Sequence, residues 1–235
     1  MRATFLFSIL FLLLLGSCSK NKDGIGELTV QMYHHVDGSI LNFNAMNYNN
    51  DAGYPYSVTR LEYYLSNFEF TDLSGHTYKS SKVFYINADK DETCNFSFSD
   101  IPSGHYSKIQ FLVGLDTAHN KTDFLDPTVE NANMAWPDMM GGGYHFIKFE
   151  GLFNANNANN GFALHLGTNG LAVPINIEKP FTIFKDKSST LLLNMNLNEW
   201  FRSPEIYDFL QDGSYSMDNM NAMMKLSRNG KDLFN

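Results

Sequence analysis

This 235-residue chain carries seven His, 11 Met and two Cys, whose imidazole, thioether and thiolate groups are ligands for soft and borderline transition metals. Three histidines sit in strand-like runs: His35 in Tyr33-His-His-Val36, His145 in Tyr144-His-Phe-Ile-Lys-Phe149, and His165 in Phe162-Ala-Leu-His-Leu-Gly167. His34 and His35 are neighbours, so a strand turns one inward and the other outward. His145 shares its alternation with Ile147 and Phe149. A histidine on such an apolar face is more often a hydrogen-bonded core residue than a ligand, and both readings stand for these three. His76, His105 and His119 fall beside turn residues and read as solvated. The stretch Asn133-Met-Ala-Trp-Pro-Asp-Met-Met-Gly-Gly-Gly-Tyr-His145 packs one Trp, three Met and three Gly ahead of a strand. It offers either a soft-metal loop around Trp136 or an apolar plug for the end of a sheet.

Other chemistry lacks its residues. There is no phosphate-binding Gly-x-x-x-x-Gly-Lys-Ser/Thr loop, no Gly-x-Ser-x-Gly elbow, no His-Glu-x-x-His and no Cys-x-x-Cys. No serine sits in a nucleophile context, so the chain reads as a non-enzyme. With 25 acidic and 17 basic residues the net charge is −8, which argues against nucleic acid as a partner.

The N-terminus assigns one of the two cysteines. Arg2 is the only charge before Lys20, and Phe5 to Leu15 is apolar apart from Ser8. A charged start and an apolar core of about 10 residues follow the plan of a secretory signal. The segment ends in Leu15-Gly-Ser-Cys18, which resembles the bacterial lipobox. Residues 1–17 then form a signal peptide, and 18–26 a lipidated Cys18 and a polar tether. Residues 27–235 form one domain, held to a membrane in the periplasm or at the cell surface by acyl chains alone. Cys94 is left without an intrachain partner, either a buried structural thiol or a metal thiolate.

The elements that position these residues read as mostly β. Alternation marks strands over 26–36, 58–70, 77–87, 93–98, 106–115, 144–153, 161–166, 171–177 and 190–197. The Asn-rich run 154–160 reads as a hairpin tip. Residues 116–143 lack periodicity and form a long loop, where function concentrates. Residues 198–210 and 217–226 look helical, with Asn229-Gly230 as a C-cap. Many short strands imply an antiparallel sandwich or barrel-like domain with long loops and a short helical C-terminal tail.

Several pieces then occur in a telling order: Tyr48 to Asn67 around Tyr-Pro-Tyr-Ser-Val-Thr-Arg-Leu-Glu-Tyr-Tyr-Leu, Gly104 to Asp116, Asn133-Met-Ala-Trp-Pro-Asp138, Gly142 to Gly151, Phe162-Ala-Leu-His-Leu-Gly167 and Asn229-Gly-Lys-Asp-Leu-Phe234. This set resembles the MbnP-like family of copper-binding proteins. The resemblance implies a β-rich domain that binds copper through His and an oxidised Trp, the Trp being converted to kynurenine by a di-haem peroxidase-like partner. Carried onto this chain, it implies His35, His145, His165 and Trp136 as the metal site. The chain departs from the pattern at Asp138, where relatives often carry a second Trp; if that Trp is the one oxidised, no kynurenine forms here. The expected function is copper capture, storage or delivery without catalysis, its affinity falling as pH drops through the ordinary His value of about 6.5. The alternative is a structural or adhesive surface lipoprotein built on a metal-free sandwich.

Overall fold

The computed structural model describes residues 24–234; the leader, Cys18 and most of the tether lie outside the described residues. Among the described residues twelve strands run in chain order: β1 Ile25–Val36, β2 Ser39–Ile40, β3 Tyr48–Asn49, β4 Pro55–Asp72, β5 Thr77–Ser80, β6 Phe84–Asn87, β7 Asn95–Pro102, β8 Gly104–Val113, β9 Ile147–Ala155, β10 Ala158–Leu166, β11 Val173–Ile183 and β12 Ser188–Asn196. A short helix α1, Val129–Asn133, lies inside the long excursion between β8 and β9, and α2, Met220–Asn229, lies near the C-terminus.

The strands form a sheet of four, ordered β12-β1-β2 with β7 also on β1, and a sheet of eight along β10-β9-β4-β8-β11 with β3, β5 and β6 on β4. Mostly β with a short C-terminal helix, the fold is a two-sheet sandwich and not a closed barrel. One pairing departs from the antiparallel expectation: β1 and β12 run parallel from Glu27↔Ser188 to His35↔Asn196. Alternation within a strand fixes which face is buried, and it carries no information on strand direction.

Phe68 is fully buried between the sheets and meets Phe84, Phe96, Phe98 and Phe111 with ring centroids 5.0–5.8 Å apart. Truncating such a ring to Ala costs about 3–5 kcal/mol in transfer and cavity terms. The β9–β10 hairpin turns at Asn156 and Asn157, with φ of 54° and 60°. Two successive left-handed residues make the primed turn whose twist matches the flanking strands, and Asn tolerates that conformation. The Asn-rich tip is therefore a hairpin, as its composition suggested.

The C-terminal reading is partly overturned. Leu197–Phe201 is a single 3-10 segment, and Arg202 to Asn219 is turn and irregular chain instead of the helix expected to continue to Leu210. Pro204 cannot donate to a helical ladder, and the apolar residues of this stretch are held by tertiary packing: Tyr207 and Phe209 are fully buried against Phe201. Gly230 caps α2 with φ −60°, so it is not there for a left-handed turn. A Cβ at Gly230 would lie 2.8 Å from Trp200 Cζ3, so the close approach of the indole is what requires glycine.

Candidate metal centre

The register of three strands builds a charged row on the outer face of the larger sheet. Glu62 pairs with Lys148, which pairs with His165, and Arg60 pairs with Glu150, which pairs with Ala163. Paired residues of an antiparallel ladder share a face, and Leu61, Tyr63, Phe149 and Leu164 take the opposite, inner face. Arg60 donates to Glu62 at 2.8 Å and to Glu150 at 3.4 Å. Glu150 Oε1 lies 2.9 Å from Nε2 of His165. Lys148, buried beneath the excursion, donates its amine to the carbonyl of Asn133.

The excursion over this face begins and ends at one point of β4. Gly114 N–H donates to Tyr64 O at 2.8 Å, and Tyr64 N–H donates to Phe146 O at 3.0 Å. Its 30-odd residues are tied down by Asn120, buried, which donates to Gly167 O at 3.2 Å and accepts from Tyr144 N–H at 2.8 Å. The chain bends at Phe146, and β9 starts only at Ile147. That break in alternation separates His145 from the core face of Ile147 and Phe149, and its backbone N–H is held by Met134 O at 2.6 Å.

His145 thereby meets His165. Their rings stand 4.9 Å apart at 86°, and the indole of Trp136 stands 4.7 Å from His145 at 71°. All three are buried, with relative exposures of 4%, 8% and 2% for His145, His165 and Trp136. Ser216 Oγ brackets His165 from behind, accepting its N–H at 2.6 Å and donating to its carbonyl at 2.7 Å. The His-Leu-Gly spacing gains a physical account here: a Cβ on Gly167 would lie 2.1 Å from Cε3 of Trp136, so only glycine lets the indole lie on this backbone.

The nitrogens decide what the pair can do. Glu150, held below the usual carboxylate range chiefly by its hydrogen bond to His165 and then by Arg60 and Lys148, is ionised. It accepts the Nε2 proton, so in the neutral imidazole the lone pair lies on Nδ1. Nδ1 of His165 and Nδ1 of His145 are both buried without a hydrogen-bond partner. Burial, aided by the neighbouring Lys148, His165 and Arg60, pushes His145 down to about 2, so its imidazole is neutral at ordinary pH. The lone pair of His145 is therefore available across the ordinary His range. A buried polar atom left unpaired costs about 1–3 kcal/mol, and a cation accepting two such lone pairs would remove that cost. A ligating histidine whose other nitrogen faces a carboxylate is the usual outer-shell arrangement of metal sites. The residues present fit a metal ion of low coordination number.

The rest of the expected set lies elsewhere. His35 sits half-buried on the smaller sheet, its Nδ1 accepting from Gly38 N–H at 3.0 Å, and is not brought to the pair. Its neighbour His34 is the inward one, with Nε2 2.8 Å from the hydroxyl of Tyr63 on the inner face. Trp136 is in the site, but its N–H donates to Met140 O at 3.2 Å and an intact indole has no lone pair to give; it roofs the pair. Met139 is 94% exposed and takes no part in the site. Cys94 is buried, with Sγ 3.7 Å from Asn87 O, and burial pushes its thiol up to about 11. Among the described residues no three His, Cys, Asp or Glu side chains gather at metal-holding distance. Glu150 and Asn120 were missed by sequence reasoning. The alternating charges Arg60, Glu62 and Lys148, Glu150 in otherwise apolar strands were the available signal.

The MbnP family model matches residues 25–224, and the chain belongs to that family. Among solved structures, MbnP from Methylosinus trichosporium is similar in fold, with a TM-score of 0.58 at 15% identity over 90% of this chain and 98% of that one. No curated protein matches the chain in sequence.

Proposed function

We propose that this MbnP family member is an extracytoplasmic copper-binding lipoprotein that captures, stores or delivers copper without catalysis. The observation that carries this reading is the pair of buried, unpartnered Nδ1 atoms of His145 and His165 beneath Trp136. Two imidazoles fall short of the four ligands that structural zinc takes and of the oxygen cages that calcium and magnesium need. They suit monovalent copper, which accepts few, soft or borderline donors. His165 and His145 would hold the ion. Glu150 fixes the tautomer of His165, Trp136 and the excursion exclude water, and Gly167 makes room for the indole. Cys18 would be the lipid anchor that keeps the domain outside the cytoplasm.

The test is copper affinity, measured by competition with a chelator under reducing conditions, on wild type and two variants. His165→Ala should weaken binding at least about tenfold, roughly 1.4 kcal/mol. His76→Ala should change it little, because His76 is an exposed turn residue bonded to Ser74. If wild type binds no more tightly than about 1 μM, or if His165→Ala only lowers the melting temperature and leaves affinity intact, the reading is refuted. The metal-free scaffold is then preferred.

A further inference from the structure

A cleft of about 650 Å³ opens over Tyr64 and Tyr85, on the face of the larger sheet that also carries Glu62 and Lys148. That is within the size range of small-ligand sites. Its floor and wall carry Tyr64, Tyr85 and Phe124, and Glu92, Asp126 and Glu130 line it too, against a single amine, Lys90. Tyr64 is buried and packs edge-on beneath Tyr85, at 63° with centroids 6.0 Å apart, so the rings open to the cleft are those of Tyr85 and half-exposed Phe124. Faces of aromatic rings and a surplus of carboxylates recognise an organic cation. A guanidinium satisfies both at once, stacking on the rings and bonding carboxylates bidentately.

Two contact paths run from this cleft to the histidines. Along the sheet, Tyr85 interacts with Glu62, Glu62 with Arg60, Arg60 with Glu150, and Glu150 with Nε2 of His165. Along the excursion, the Tyr64 hydroxyl donates to Asn131 Oδ1 at 2.6 Å inside α1. The next residues of that segment hold the site: Asn133 O accepts from Lys148, and Met134 O accepts from His145 N–H. Helix α1 thus lines the cleft through Glu130 and Asn131, and its C-terminal end holds Lys148 and His145.

We propose that the cleft is a docking pocket for an arginine side chain of a partner protein, and that filling it changes the setting of His145 and His165. The coupling to metal rests on the copper reading above; the docking itself does not. Coupling of this kind is reciprocal, so an arginine that binds the loaded form less well would favour release.

The test uses metal-free protein, so it is independent of whether copper binds. The probes are acetyl-Gly-Arg-Gly-amide and its citrulline isostere, which keeps the shape and removes the charge. Titration followed by nitrogen-15 NMR should show the arginine peptide binding at least about tenfold more tightly than the citrulline peptide. The Asp126→Asn/Glu130→Gln variant should lose that preference; both positions lie outside the histidine pair. The imidazole nitrogens of His165 should shift on saturation in wild type and much less in Glu62→Gln. Equal binding of the two peptides, or none at 10-millimolar-order concentration, overturns the pocket. Charge-selective binding with unmoved His165 nitrogens overturns the coupling. Failure of the copper titration alongside a positive peptide response overturns the metal reading alone.

Discussion

Replacing Gly167 by Ala should displace the indole of Trp136. The added Cβ would sit 2.1 Å from Cε3 and 2.4 Å from Cδ2 of that ring, against an ordinary carbon contact of about 3.5–4.0 Å. The ring must move by roughly 1.5 Å to restore contact distance, and it has nowhere easy to go. It is 2% exposed, faces His145 at a 4.7 Å centroid separation, and is held by an N–H bond of 3.2 Å to Met140 O. Overpacking costs about 1–3 kcal/mol, and loss of the indole hydrogen bond adds about 0.5–1.5 kcal/mol. A total near 2–4 kcal/mol lowers the melting temperature of a domain this size by roughly 4–16 °C. Gly104→Ala is the control, because a Cβ there meets nothing within 4 Å and its φ is not in the left-handed region. The assay is thermal unfolding of both variants together with the Trp136 indole N–H resonance. An unchanged melting temperature with an unmoved resonance in Gly167→Ala would show that the indole does not lie on this backbone. The account of the His-Leu-Gly spacing would then fall.

Three further outcomes follow from individual residues. His34 is held at about 4 chiefly by burial, against 6.5 when unperturbed, so the unfolded chain takes up its proton first as pH falls. Stability is therefore present above pH 6.5 and lost as pH falls towards 4, by about 2 kcal/mol between pH 7 and 5 from this residue. Urea unfolding at the two pH values should show a smaller loss in His34→Gln, and an identical loss would contradict the burial effect. Cys94, with its thiol raised to about 11 from 9.0, should label with a thiol reagent at least about 100-fold more slowly in native than in unfolded protein. Fast stoichiometric labelling of the native protein would reopen the thiolate reading. Mass spectrometry of the mature protein should find an acylated Cys18 at the N-terminus, and Cys18→Ala should abolish acylation; an unacylated or different start would remove the anchor.

Much of the fold was legible because strands and hairpins are local. Alternation over 26–36 and 58–70 marked β1 and β4, and the Asn run marked a turn that needs two left-handed residues. The same periodicity was silent on partners, so the parallel pairing of β1 with β12 could not be read from it. It also misplaced the stretch after Phe201, where burial of Tyr207 and Phe209 outweighs helical spacing.

The candidate site divides in the same way. Residue types named His145, His165 and Trp136, and the run of Met and Gly around Trp136 pointed to an unusual loop. Only the tertiary structure decided that His145 joins His165, because a bend at Phe146 breaks an alternation that would have kept it on the core face. Register, set across strands remote in sequence, brought Glu150 to Nε2 of His165 and left both Nδ1 atoms unpartnered. The same topology puts His35 on the other sheet. A sequence lists the side chains that could coordinate an ion; which lone pairs stay free depends on every hydrogen bond their neighbours make, and those neighbours are chosen by folding.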